Sequence, residues 1–90
     1  MKRYLVETYL ARGATAERAA QEHRARSAAA ELAREARRIR FDHSIHIPDD
    51  EICFFVFDAP SSRDAALVAE RAGLDPVRIV EAISSREEEQ

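Results

Sequence analysis

The sequence predicts an α+β domain: a four-stranded antiparallel sheet with two helices on one face. Three observations predict it. Four segments are rich in β-branched and aromatic residues, which suit a pleated sheet. Two intervening segments are rich in alanine and charge and free of Gly and Pro, which suits helices. A short turn joins only the middle two strand segments, so the order is strand-helix-strand-strand-helix-strand. Ninety residues allow one domain, here 1–84, followed by an acidic tail at 85–90.

The first strand runs from Lys2 to Leu10, with Tyr4, Val6, Thr8 and Leu10 set against Leu5, Glu7 and Tyr9. Ala11-Arg12-Gly13 breaks it. Thr15 is a candidate helix N-cap, and Glu17 in the first turn complements the helix dipole. The helix continues to about Glu35. Ala25, Ala28, Ala29, Leu32 and Ala36 share a face, and Leu32 is its only large apolar residue. Small side chains let a helix approach a sheet closely but bury little area each.

From Arg37 to Ile47 the pattern alternates: Ile39, Phe41, His43, Ile45 and Ile47 form one set, and Arg38, Arg40, Asp42, Ser44 and His46 the other. Pro48-Asp49-Asp50-Glu51 is a turn, and Ile52 to Phe57 is a strand apolar on both faces. Pairing Pro48 with Glu51 sets His46 opposite Cys53 and His43 opposite Val56. Asp58-Ala59-Pro60 ends this strand. Ser61 and Asp64 fit a capping box for a helix burying Ala65, Val68, Ala69 and Ala72. Gly73 suits a left-handed C-terminal cap with Leu74 packing back. After Asp75-Pro76, Arg78 to Ser84 is the fourth strand, and Ser85 to Gln90 is expected to fray.

This βαββαβ order is the ferredoxin-like pattern. A strand apolar on both sides has a consequence there: the helices cover one face and the other stays wet. Small monomers rarely expose such a patch, so a homodimer through the open sheet face is expected.

Composition narrows the function. With 46% hydrophobic and 34% charged residues the chain is a folded one. A net charge of −3 disfavours nucleic-acid and anionic-membrane partners. No apolar run approaches the roughly 20 residues of a membrane span, and Glu7 interrupts any signal-peptide core, so a cytoplasmic location is expected. Cys53 is the single cysteine, which rules out an internal disulfide and a Cys-pair zinc site. There is no phosphate-cradling glycine loop, nucleophile elbow, HExxH or CxxC.

The side chains suited to chemistry are few. Imidazole suits nickel, zinc and copper, and carboxylates can complete such sites, so His43, His46 and Glu7 are the candidate metal ligands, with Asp49 and Asp50 chemically suitable. Positions i and i+3 of a strand point to opposite faces, so His43 and His46 of one chain cannot chelate one ion together. His43 has Glu7 or Glu81 as possible companions, and His46 has Cys53 across the hairpin. The plainer alternatives are hydrogen-bonded histidines and a salt bridge from Glu7 to Arg40 or Arg78. Phe54, Phe55 and Phe57 occupy the strand where RNA-recognition domains stack bases, but the glycine-containing consensus is absent and the domain is acidic, so core and dimer packing explain them better. Apolar neighbours would blunt the reactivity of Cys53.

Several short blocks together resemble a known family. Arg3-Tyr4-Leu5-Val6-Glu7, His43-Ser44, the Cys- and Phe-bearing third strand ending Asp58-Ala59-Pro60-Ser61, Arg71-Ala72-Gly73-Leu74 and Arg78-Ile79-Val80-Glu81 look like the small ferredoxin-like nickel-binding proteins of bacteria, formerly a domain of unknown function. The resemblance spans Arg3 to about Ile83. It implies a ferredoxin-like fold, a dimer across the sheets and the binding or sequestration of nickel, without catalysis, with Glu7 and His43 as the shared candidate positions. Two features depart from it: Asp42 stands where that strand is usually apolar, and the cysteine, Cys53, is shifted along the third strand. The alternatives are a dimeric α+β barrel that binds or transforms a small molecule through His43 and Glu7 in a cleft between sheet and helices, or an interaction module without a ligand.

Overall fold

The computed structural model describes residues 1–88. It runs β1 (Lys2–Tyr9), α1 (Thr15–Arg34), β2 (Arg40–Ile47), β3 (Ile52–Ala59), α2 (Ser62–Arg71), β4 (Pro76–Ala82) and α3 (Ser85–Glu88), with a 3-10 turn at Pro48–Asp50. The sheet order is β2-β3-β1-β4, and all three pairings are antiparallel. This is the ferredoxin-like α+β arrangement. The two apolar faces of the third strand place it inside the sheet, where both edges find partners.

On the helix side, Val6 pairs with Phe55 and Tyr4 with Phe57. These four are buried with Phe41, Cys53, Leu32 and the inner face of α2. Phe41 meets Phe57 edge-on at 5.3 Å between ring centroids, so the aromatics form the centre of the core. Alanines 25, 28 and 29 bring α1 close to the sheet, and Leu32 is its one large buried side chain.

Both helix ends are informative. The N-cap of α1 is Ala14, which offers no side-chain acceptor, and Thr15 is already the first helical residue. The backbone N–H of Arg18 takes the Ala14 carbonyl instead. Ala36 lies beyond the helix rather than on its inner stripe, in a left-handed conformation with φ of 66°. The Arg37 N–H then reaches back to the Leu32 carbonyl, closing the cap without glycine. The second helix follows expectation: the Asp64 N–H donates to Ser61 Oγ at 3.2 Å. Gly73 has φ of 73°, and the Leu74 N–H bonds the Ala69 carbonyl.

Two irregularities shift the sheet. The register between β1 and β4 slips between Glu7 and Thr8, so β4 starts at Pro76 and ends at Ala82, two residues earlier than the hydrophobic pattern predicts. Pro76 is tolerated because it opens an edge strand. A second slip lies between Phe41 and His43, with Asp42 as the extra residue. The segment after the strands, expected to fray, forms a helical turn at Ser85–Glu88. The expectation for Glu89 and Gln90 lies outside the described residues.

Candidate metal site on the open sheet face

The Asp42 bulge decides where both strand histidines point. Before it, Phe41 pairs with Phe57 on the helix side. An unbroken alternation would carry His43 and Ile45 to that same side. The extra residue reverses the parity, so His43 pairs with Val56 and Ile45 with Phe54 on the open face, whereas Ser44 and His46 pair with Phe55 and Cys53 on the helix side.

His43 is half exposed, and its Nδ1 meets Asp42 Oδ2. In the tautomer that donates Nδ1–H to that carboxylate, Nε2 carries the free lone pair. The other oxygen of Asp42, Oδ1, lies 3.7 Å from Arg3 Nη2 and 3.9 Å from Arg40 Nη2. Those arginines converge on Asp58 at the same end of the face. Arg3 Nε donates to Asp58 Oδ1 at 3.1 Å, and Arg40 Nη2 donates to Oδ2 at 2.7 Å. Burial would raise the Asp58 carboxyl, but the hydrogen bonds from Arg3 and Arg40 outweigh it and hold the pKa below the usual carboxylate range. Two guanidiniums and two carboxylates thus balance beside His43 and fix Asp42 from both sides.

Glu7 is on the open face too, opposite Phe54 on β3. It sits two strands from His43, and its side chain, only 13% exposed, accepts from Arg78 Nε at 2.8 Å. The salt bridge to Arg78 is therefore formed. Glu81 pairs with Tyr4, on the helix side, and reaches Lys2 at 3.9 Å. His46 lies on the helix side with Nε2 buried and without a hydrogen-bond partner among the described residues. The three candidate ligands of one chain do not come together. Among the described residues no three His, Cys, Asp or Glu side chains converge as a cation site would require.

Cys53 is fully buried, and that burial, above all else, pushes its thiol up to about 11. Neither His43 nor Glu7 faces the space between sheet and helices, which Phe41, Phe55, Phe57 and Leu32 fill. No described helix is long and apolar enough to cross a membrane. Asp42 is the site residue that sequence patterning misses. Its one signal is an acid at the foot of an otherwise clean strand, just before a histidine.

No family model matches this sequence, and no curated protein matches it. Among solved structures it is similar to SCO4226 from Streptomyces coelicolor A3(2), with a TM-score of 0.67 at 20% identity, covering 92% of this chain and 98% of that one. At this identity the likeness extends to the fold.

Proposed function

We propose that two copies of this chain associate through their open sheet faces and bind a divalent cation, nickel first, for sequestration rather than catalysis. His43 is the ligand, through Nε2, and Asp42 is its positioning residue. The observation that carries this reading is the Asp42–His43 contact. A carboxylate behind the imidazole fixes its tautomer and ring orientation, as the outer shell of metal-bound histidines commonly does. Nickel(II) accepts imidazole and carboxylate oxygen. The sequence resemblance to ferredoxin-like nickel-binding proteins selects nickel among the metals that imidazole suits.

One chain offers one histidine here, so the second copy supplies the remaining donors. The surroundings favour that copy. Tyr9 and Ile45 are exposed on the open face at 64% and 45%, beside the half-buried Leu5, Phe54 and Val80. An apolar patch rimmed by charge suits a self-complementary contact about a two-fold axis.

Titration calorimetry with Ni(II) tests the proposal. The unmodified protein is expected to give saturable heat, His43→Ala to lose it, and His46→Ala to keep it. An unmodified protein without saturable heat, or a His43→Ala variant that binds as well, overturns it.

A further inference from the structure

A second candidate surface lies at the β2 edge of the sheet, and of the open-face cluster it includes only Arg40. The C-terminal half of α1 and the start of β2 bound a groove of about 380 Å3, within the size of small-ligand sites. Its walls are apolar: Ala30 and Ala33 from α1, Ile39 and Phe41 from the β2 side. Arg26 and Arg40 border it, and no acid lines it.

Charge is segregated here against the character of the whole chain. The protein carries a net −3, yet residues 24–40 hold six arginines and two glutamates; Arg24 and Arg37 are directed to α2, on the Ala72 carbonyl and Asp64, and Arg26 and Arg40 are the two that border the groove. Those two acids, Glu31 and Glu35, both accept from Arg71 on α2, at 3.2 and 3.1 Å, and so face away from the groove. Arg26 lies over the Phe41 ring at 5.0 Å in a cation–π contact and pairs through Nη2 with Glu22 at 3.9 Å, a long, exposed ion pair that leaves its other donors to the groove. Arg40 places Nη2 on Asp58, and its Nε and Nη1 have no partner among the described residues. The alanines have a further effect. Ala30 and Ala33 are exposed helix positions with no side chain beyond Cβ, so α1 leaves this space open where a larger residue would fill it.

We infer that this groove binds a small amphiphilic anion, an apolar body of alkyl or aromatic character bearing a carboxylate. The body lies between the alanine wall and Ile39–Phe41, and the carboxylate meets the Arg26 guanidinium. A guanidinium already stacked on a ring loses little freedom on forming that ion pair. A cationic amphiphile of equal length gains the same apolar contact but meets the arginines with like charge.

Octanoate below its micellar concentration is the probe, followed by NMR on the full chain. Saturable shifts are expected at Ala30, Ala33 and Phe41, and octylammonium is expected to leave them unmoved. Arg26→Gln is expected to weaken binding about tenfold, the size of one charge-assisted hydrogen bond. Ala33→Leu, which keeps helix propensity and fills the groove, is expected to abolish it. Thermal melts of both variants should match the unmodified protein. No saturable shift, equal binding of octylammonium, or an Ala33→Leu variant that still binds overturns the inference. None of these outcomes depends on Ni(II).

Discussion

Asp42 turns His43 and holds it. As the bulged residue it reverses the side-chain parity of β2, and its carboxylate takes the Nδ1 contact of the imidazole it has moved to the open face. One residue thus sets both where the histidine points and which nitrogen is free.

Asp42→Asn should therefore weaken Ni(II) binding by about 10–100-fold, the usual cost of losing an outer-shell partner, while leaving the fold intact. Calorimetry measures the affinity. The His43 ring-nitrogen shifts should show the tautomer preference relaxing in the same variant. A loss of affinity without that change would place the role of Asp42 elsewhere.

Ile45 is the exposed apolar residue beside His43 on the edge strand. Ile45→Lys should dissociate the proposed dimer, since it sets a charge in the apolar centre of the contact. Sedimentation should change from twice the chain mass to one chain mass, with the circular-dichroism spectrum unaltered. A single-chain mass for the unmodified protein would remove the dimer.

Asp58 couples stability to acid. A carboxyl with a depressed folded-state pKa contributes stability above its unfolded pKa, near 3.9 for Asp, and loses it as pH falls through the folded value. The melting temperature should fall below about pH 4. Asp58→Asn should be less stable at neutral pH, by about 1–3 kcal/mol, because Arg3 and Arg40 lose their shared carboxylate. Its acid dependence should flatten, as urea titrations across pH would show.

Leu32 is the one large side chain that α1 buries, at 1% exposed. Leu32→Ala should cost about 2–5 kcal/mol. That is a large share of a domain stability of roughly 5–15 kcal/mol. Hydrogen exchange should show α1 losing protection before β1 and β3.

Ala36 carries a left-handed backbone that L side chains resist at about 1–2 kcal/mol. Ala36→Gly should stabilise the protein by several tenths of a kcal/mol, net of the added freedom of glycine in the unfolded chain. A lower denaturation midpoint would contradict the cap at the end of α1.

The strands, both helices, the Ser61 cap and the Gly73 stop follow from local pattern, because each depends on propensity, period and turn chemistry within a few residues. The hairpin register follows as well, since the Pro48–Glu51 turn determines it: His46 faces Cys53 and His43 faces Val56 as the spacing predicts. The side of the sheet is another matter. Alternation places His43 with Phe41, and only the bulge separates them, because an extra residue is accommodated by strand pairing that no single segment contains.

Glu7 and Arg78 are 71 positions apart, and Arg3, Arg40 and Asp58 come from three strands. Their meeting depends on the β2-β3-β1-β4 order. Composition and period determined that this chain is a four-stranded sheet with helices on one side and an apolar strand at its middle. Tertiary packing decided which arginine neutralises which acid, Arg78 rather than Arg40 for Glu7, which imidazole nitrogen stays free and where a groove opens. Those outcomes are settled by distances between remote segments, and hydrophobic periodicity carries no information about them.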